Sequence, residues 1–143
     1  MRVSKRLPRS YLVVLAMLIA TVALCPAFGR TQNYKPRVLK VQKGLAVFYA
    51  STFHGEKTAS GETFNKNEFV AAHPSLPLGT TVRVTNLENK KAIEVRIIDR
   101  GPSDKMQARG FIIDLSRSAA EALGFIKQGR TKVQIEVLKL GEE

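Results

Sequence analysis

Residues 81–102 read TVRVTNLENKKAIEVRIIDRGP, and this stretch decides the fold class. Apolar and polar side chains alternate over residues 81–86 and again over residues 92–98, with the two-residue period of half-buried β-strands. The intervening Glu-Asn-Lys-Lys at 88–91 is typical of a turn. The sequence therefore predicts a β-hairpin whose second strand ends at an aspartate, Asp99.

Further strands are predicted on both sides of this hairpin. Residues 46–50 are rich in β-branched and aromatic side chains, and residues 112–115 form a short apolar run. Residues 133–137 alternate in the same way as the hairpin strands. Short strands with long irregular connections predict a small closed β-barrel. The connection over residues 52–77 is too long to be a simple link, and such loops tend to carry function.

One helix is predicted at residues 117–123. Ser116 before it is a favoured N-cap residue, and Gly124 after it is a natural C′ residue. The segment is about two turns long, so it depends on packing against the barrel for its stability.

Composition limits the possible classes of protein. The chain has 143 residues, 44% of them hydrophobic, and a formal net charge of +11, which predicts one globular domain with or without a tail and excludes wholesale disorder. A single cysteine excludes a disulfide framework and a cysteine-based zinc cluster, and two histidines exclude a three-histidine metal site. We therefore expect neither a cofactor nor a metal ion.

The first 29 residues have the pattern of an export signal. Four cations between Arg2 and Arg9 precede an apolar run over residues 11–25, which is shorter than the roughly 20 residues needed to span a bilayer. We predict a signal peptide at 1–29, a basic linker at 30–43 and a barrel domain at 44–140. An uncleaved membrane anchor is the alternative. Lipidation at Cys25 fits less well, because Leu24 precedes it where lipoprotein signals have a small residue.

The charge of the exported chain predicts an anionic partner. Removal of residues 1–29 would remove four cations and leave 19 Lys and Arg against 12 acidic residues. Outside the cytoplasm such partners are cell-wall glycans and membrane surfaces. We predict that the protein is located in the periplasm or cell envelope and associates with the wall or the membrane periphery. We also predict a monomer. The cations are spread and not interleaved with aromatic residues, which disfavours nucleic acid.

Four residues have side chains suited to acid–base chemistry: Glu62, His73, Asp99 and Asp114. Each also has a structural alternative. Glu62 can be a solvated loop acid, and His73, which precedes a proline, can orient a turn. Asp99 can cap the turn that follows it, and Asp114 can be tied to the helix start or to an arginine.

Six motifs occur here in the order seen in the rare lipoprotein A family, which this sequence resembles over about residues 44–138. They are GLAVFYA (44–50), FHGEKTASGETF (53–64), AAHPSLPLGT (71–80), VRVTNLEN (82–89), IIDRGP (97–102) and IIDLSRSAAEAL (112–123). The resemblance implies a mainly β fold, a six-stranded double-psi β-barrel with one or two short helices, shared with expansins and one class of endoglucanases. Closure of such a barrel leaves no exposed sheet edge.

The resemblance also implies an activity, because catalytic members of the family are lytic transglycosylases of the septal-ring type that cut peptidoglycan glycan strands stripped of stem peptides. Glu62, His73 and Asp99 fall on the family's functional positions, and Asp114 resembles an acidic position of related barrels. We expect Asp99 to be the acid/base beside Glu62, with His73 holding the geometry, although Asp99 and Glu62 can exchange roles. The three side chains should then converge on one open groove.

Substrate-binding roles along the groove are predicted for Tyr49, Arg96, Arg100 and Asn65. Asn65 stands where family members often have an aspartate, and the chain has no tryptophan for stacking on sugars. These departures favour a second hypothesis, a non-catalytic expansin-like module that binds or loosens the wall. A third hypothesis is an inhibitor- or effector-like protein on the same barrel.

Overall fold

The computed structural model describes residues 37–142, which form a closed six-stranded barrel. The strands are β1 (Lys40–Phe48), β2 (Val70–Ala72), β3 (Thr81–Asn86), β4 (Ala92–Asp99), β5 (Phe111–Leu115) and β6 (Thr131–Lys139). Their order around the barrel is β1-β5-β2-β4-β3-β6, and β6 pairs with β1 to close it. The helices are α1 (Asp104–Gln107) and α2 (Arg117–Leu123), and a 3₁₀ turn covers Ser51–Phe53. The predicted barrel with one or two short helices is confirmed.

The predicted hairpin is the antiparallel pair β3 and β4, in which Val82 lies opposite Val95. Its alternating pattern reflects burial, because Val82, Val84 and Asn86 are buried while the residues between them remain partly exposed. The predicted C-terminal strand is β6, which pairs with β3 on one side and with β1 on the other. Its inward-facing residues Val133, Ile135 and Val137 complete the core.

The first strand begins earlier than predicted. β1 starts at Lys40, where the chain already pairs with Val137 of β6, so residues 40–43 of the predicted linker belong to the barrel. The sequence hides this because β1 is mostly exposed at its start and carries polar residues there. The predicted signal peptide at 1–29 and the linker residues 30–36 lie outside the described residues.

Helix α2 has the predicted caps. The Ser116 side chain accepts a hydrogen bond from the backbone N–H of Ala119, and Gly124 has the left-handed conformation of a C′ residue, with φ of 75°. Ala119, Ala120 and Leu123 are buried against the barrel, which supplies the packing that a two-turn helix needs. No helix within residues 37–142 is both long and apolar enough to cross a membrane.

The short strand β2 determines which loops meet. It is buried along its whole length and lies between β4, to which it is parallel, and β5, to which it is antiparallel. Its last residue, Ala72, has Asp99 as its register partner on one side and Asp114 on the other. Because neighbouring strands lie about 4.8 Å apart, this register brings two aspartates that are distant in sequence to within about 10 Å, Cα to Cα.

Candidate active site

An open cleft of about 780 Å³ lies beside Asp99 and Asp114. One wall comes from the segment after β1, with Tyr49, Phe53 and Lys57 among its lining residues. A second wall comes from the turn after β4 and from α1, with lining residues between Arg100 and Gln107. Both walls are chain segments that leave the barrel, so the barrel supplies the floor and the connections supply the sides.

Asp99 is surrounded by hydrogen-bond donors. Its Oδ1 accepts from the backbone N–H of Arg100 at 2.8 Å and of Ala59 at 2.9 Å, and its Oδ2 accepts from the Tyr49 hydroxyl at 2.9 Å. Three donors and no acceptor are the partners of an ionised carboxylate, which has no proton to give. Asp99 is therefore suited to carry negative charge in the cleft.

Asp114 has the opposite surroundings. Its Oδ1 is buried and has no hydrogen-bond partner among the described residues. Burial and, secondarily, the charge of Asp99 raise the pKa of Asp114 from 3.8 to about 6. Gly101 lies against the other oxygen, since a β-carbon at position 101 would be 3.1 Å from Asp114 Oδ2. Asp114 is therefore suited to hold a proton near neutral pH.

Tyr49 connects Asp99 to the aromatic wall, the cluster formed by the rings of Tyr49, Phe53 and Phe64. Burial, followed by the hydrogen bond to Asp99 and its charge, raises the pKa of Tyr49 well above its usual range, so the hydroxyl stays protonated and donates. Its ring contacts Phe64 at 4.6 Å and Phe53 at 5.5 Å between centroids. The predicted groove residue does line the cleft, but its hydroxyl is engaged by Asp99.

Arg100 lines the cleft with its guanidinium turned to the backbone. Nη1 donates to the carbonyl of Leu76 at 2.7 Å and to that of His73 at 3.4 Å. The arginine therefore ties the turn after β4 to the turn after β2.

Glu62 and Arg96 form an ion pair outside the residues that line the cleft. Arg96 donates through both Nη atoms, with Nη2 at 2.8 Å from Glu62 Oε2. The hydrogen bonds from Arg96 lower the pKa of Glu62, which makes it a poor proton donor. The pair holds the loop at 57–63 against β4, and this same loop presents the Ala59 N–H to Asp99.

His73 is 2% exposed and engages both ring nitrogens within the fold. Nδ1 accepts from the backbone N–H groups of Ser75 and Leu76, at 3.2 and 3.0 Å, so Nε2 carries the proton and donates to Gln42 Oε1 at 3.1 Å. Burial, with smaller contributions from nearby cations, lowers the pKa of His73 to about 4. The imidazole is neutral, and it stabilises the turn after β2, whose carbonyl groups accept the hydrogen bonds of Arg100.

Asn65 closes a local turn away from the cleft lining. Its Nδ2 donates to Glu68 Oε1 at 2.9 Å, and its Oδ1 accepts from the Asn67 N–H at 3.0 Å. A predicted contact between Asn65 and substrate therefore has no support in the geometry.

The expected convergence of the predicted residues is met only in part. Four of them line the cleft: Tyr49, Asp99, Arg100 and Asp114. Four do not: Glu62, Asn65, His73 and Arg96. Of Glu62, His73 and Asp99, which were expected to share one groove, only Asp99 lines this cleft. Glu62 forms an ion pair with Arg96. His73 is buried, and its Nδ1 accepts hydrogen bonds from two backbone N–H groups.

Comparisons with known proteins identify the family of this chain. Residues 41–135 match the family described as lytic transglycolase. The chain belongs to this family. It is 46% identical over 114 residues to the endolytic peptidoglycan transglycosylase RlpA of Pasteurella multocida, and 42% identical over 113 residues to that of Campylobacter jejuni. These alignments cover 80% and 77% of this chain, but 37% and 40% of those proteins. The chain thus spans less than half the length of these two relatives.

Solved structures confirm the double-psi β-barrel that this lytic transglycolase family member was predicted to adopt. A Streptomyces papain inhibitor superposes with a TM-score of 0.57 at 21% identity, covering 73% of this chain and 99% of that one. An expansin of Clavibacter michiganensis superposes with a TM-score of 0.56 at 17% identity, covering 73% and 53%. At such identities the likeness concerns the fold.

Sequence reasoning missed several cleft residues of this member of the lytic transglycolase family. Phe53 and Lys57 lie in a motif that was recognised, and the signal that could have singled out Phe53 is a large apolar side chain in a polar loop. Asp104 and Gln107 lie in α1, which follows the IIDRGP motif directly. Among residues 37–142, no three His, Cys, Asp or Glu side chains are grouped as a metal site requires.

Proposed function

We propose that this chain is a peptidoglycan lytic transglycosylase that cuts the bond between N-acetylmuramic acid and N-acetylglucosamine and leaves 1,6-anhydro ends. The observation that carries the proposal is the pair of aspartates beside Ala72, one provided with donors and the other buried with a raised pKa. Two carboxyl groups whose environments separate their protonation states are the usual machinery for glycosidic bond cleavage. The names of the relatives provide the substrate class.

Asp114 is the proton donor in this mechanism, in place of Asp99, which the sequence favoured. A protonated Asp114 gives its proton to the glycosidic oxygen while the bond from that oxygen to C1 of the muramyl sugar breaks. Since the pKa of Asp114 is about 6, roughly a tenth of the molecules carry this proton at neutral pH. The ionised Asp99 stabilises the positive charge that develops at C1.

The second half of the reaction returns the proton. The 6-hydroxyl of the same muramyl sugar attacks C1, a new C1–O6 bond closes the anhydro ring, and the hydroxyl proton passes to the Asp114 carboxylate. The acid is then restored, and neither water nor an enzyme nucleophile takes part.

Glu62 and His73 act in this proposal as positioning residues. Glu62 fixes, through Arg96, the loop whose Ala59 N–H holds Asp99. His73 shapes the turn whose carbonyls hold the Arg100 side chain, next to Asp99 in the chain. Both therefore affect the cleft through the groups that they hold.

The test is digestion of purified, peptide-stripped glycan strands followed by mass spectrometry of the products. The unaltered chain should release 1,6-anhydro-muramyl ends, and the double variant Asp99→Asn/Asp114→Asn should release none. Glu94→Gln is the control, because Glu94 pairs with Arg83 on the barrel surface, outside the cleft lining. Strands that are bound but left intact by the unaltered chain would contradict the proposal and support the non-catalytic wall-binding module.

We also propose export to the periplasm or cell envelope, supported by the cations and apolar run of residues 2–25. The test is cell fractionation with mass determination of the envelope-associated protein. Loss of about the first 29 residues would support the proposal, and full-length protein in the cytosolic fraction would contradict it.

A further inference from the structure

Phe53 is a large apolar side chain that stays uncovered at the edge of the cleft. It is 50% exposed and belongs to the wall formed by the segment after β1. Burial of an aromatic ring is favourable, so a half-exposed phenylalanine beside two functional carboxyl groups indicates a surface kept open for a ligand.

The ring of Phe53 is fixed in place although it is uncovered. It packs edge to face on Tyr49, with centroids 5.5 Å apart and an interplanar angle of 69°, and Tyr49 packs in turn on the buried Phe64. The backbone N–H of Phe53 donates to the carbonyl of Ala50, which closes the 3₁₀ turn. A half-exposed ring that a partly buried neighbour holds in place can bind a ligand at little cost in side-chain entropy.

The same packing sets the position of Phe53 relative to the chemistry. Tyr49 touches Phe53 with its ring and Asp99 with its hydroxyl, so a single side chain spans from the exposed ring to the carboxylate. Phe53, Asp99 and Asp114 line the same cleft, so a ligand lying on Phe53 shares this cleft with both carboxyl groups.

The neighbours of Phe53 indicate the class of ligand. Thr52, Glu56 and Lys57, which are close to Phe53 in the chain, line the same cleft and offer hydroxyl, carboxylate and ammonium groups. A pyranose ring has a face of C–H groups and a rim of hydroxyl and acetamido groups, which matches an apolar platform with a polar border. A purely apolar ligand would leave these polar groups without partners.

We propose that Phe53 is a stacking platform for the pyranose ring of an N-acetylated amino sugar, next to the bond that is cut. This inference rests on the proposed function for its glycan substrate, and it names a binding residue of that site. Stacking contributes to binding in the ground state and in the transition state alike, so its loss should raise KM more than it lowers kcat.

Phe69 provides a matched control. It is exposed to a similar extent, 46%, but it does not line the cleft. Phe53→Leu keeps an apolar contact with Tyr49 and loses the flat face, so we expect a rise of roughly tenfold in KM for peptide-stripped strands, with kcat changed less than about threefold. Phe69→Leu should leave both constants unchanged. Equal KM values for the two variants would overturn the inference.

Binding can be measured without turnover because the chain contains no tryptophan. Phe53→Trp in an Asp114→Asn background places the only indole in the cleft, and its fluorescence should shift to the blue when peptide-stripped strands are added. Phe69→Trp in the same background should not respond. Absence of a shift at position 53, in a variant with the circular dichroism of the folded barrel, would overturn the platform. A shift at position 53 together with no anhydro ends from the unaltered chain would overturn the proposed function and leave the platform standing.

Discussion

Asp99 and Asp114 flank the same residue, Ala72, yet their surroundings differ in almost every respect. Three donors converge on Asp99, whereas an oxygen of Asp114 is buried without a partner among the described residues. The donors on Asp99 come from three separate segments of chain: the aromatic wall, the loop at 57–63 and the turn after β4. Two aspartates thus acquire different properties from their surroundings. Hydrogen-bond donors from the connections suit Asp99 to stabilise charge, and burial without a partner suits Asp114 to act as an acid.

The largest expected effect comes from removing the proton donor. Asp114→Asn keeps the shape of the side chain and cannot protonate the leaving oxygen, so release of anhydro ends should fall by about 10³-fold. Thermal unfolding should occur at an equal or higher temperature, because a buried carboxyl without a partner is replaced by a neutral amide. Retention of more than about a tenth of the activity would assign the proton donor elsewhere.

Asp99→Asn is expected to reduce activity by about 10²-fold, since a neutral amide stabilises the developing positive charge poorly. It should also change the pH dependence of what remains. The charge of Asp99 helps to raise the pKa of Asp114, so its removal lowers that pKa. The activity requires protonated Asp114 and falls as the pH rises, and this fall should move to lower pH. An unmoved pH–rate profile in the variant would show that the two carboxyl groups are not coupled.

Tyr49→Phe sharpens the comparison by removing one donor to Asp99. The ring contacts with Phe53 and Phe64 are kept, and only the hydroxyl bond at 2.9 Å is lost. One hydrogen bond to a charged group predicts a loss of about tenfold in kcat, with little change in KM. Steady-state kinetics on peptide-stripped strands will measure both constants, and a change confined to KM would mean that the hydroxyl contacts substrate.

The pH dependence of stability separates Asp114 from His73, because the two oppose each other. Folding raises the pKa of Asp114 from 3.8 to about 6, so the native state binds more protons than the unfolded state and stability falls as the pH rises through this range. Folding lowers the pKa of His73 from 6.5 to about 4, so stability rises with pH over nearly the same range.

The opposing contributions of Asp114 and His73 to stability nearly cancel in the unaltered chain, and only that of His73 remains in Asp114→Asn. Between about pH 4 and about pH 6, the free energy of unfolding of this variant should rise relative to the unaltered chain by about 2 kcal/mol, allowing for the contact of Asp114 with solvent in the cleft. Urea unfolding at a series of pH values measures this difference. Parallel curves for the two proteins would mean that the pKa of Asp114 is not raised by folding.

The smallest expected effect concerns the loop that supports Asp99 from outside the cleft. Glu62→Gln weakens an exposed ion pair, so the free energy of unfolding should fall by less than about 1 kcal/mol. The loop then holds the Ala59 N–H less firmly against Asp99, and kcat should fall about three- to fivefold. Glu94→Gln, which breaks another exposed pair, should not affect kcat. A loss as large as that of Asp114→Asn would instead give Glu62 a direct role in the chemistry.

The sequence predicts the barrel well because its strands are amphipathic. The alternation over β3, β4 and β6 is a local property that directly reflects burial, and the caps of α2 are local as well. The start of β1 escapes prediction because the pairing of Lys40 with Val137 joins positions at opposite ends of the domain, where polar side chains face solvent.

The site is predicted less well because its chemistry depends on distant contacts. Asp99 and Asp114, each of which was singled out near the end of a predicted strand, both line the cleft. The surroundings of Glu62 and His73 depend on Arg96 and Gln42, which lie 34 and 31 residues away along the chain. Two alternatives were open for His73, and its contacts with the Ser75 and Leu76 N–H groups are those of a residue that orients a turn.

The three-residue strand β2 has a consequence for how this molecule can diversify. The spacing between the two carboxyl groups is set by backbone pairing across Ala72, and the cleft walls are connections outside the barrel. Insertions or substitutions in those connections can therefore change how the cleft binds a polymer, while the distance between Asp114 and Asp99 stays constant. Such a framework can acquire new polymer preferences through its periphery without rebuilding its reactive centre.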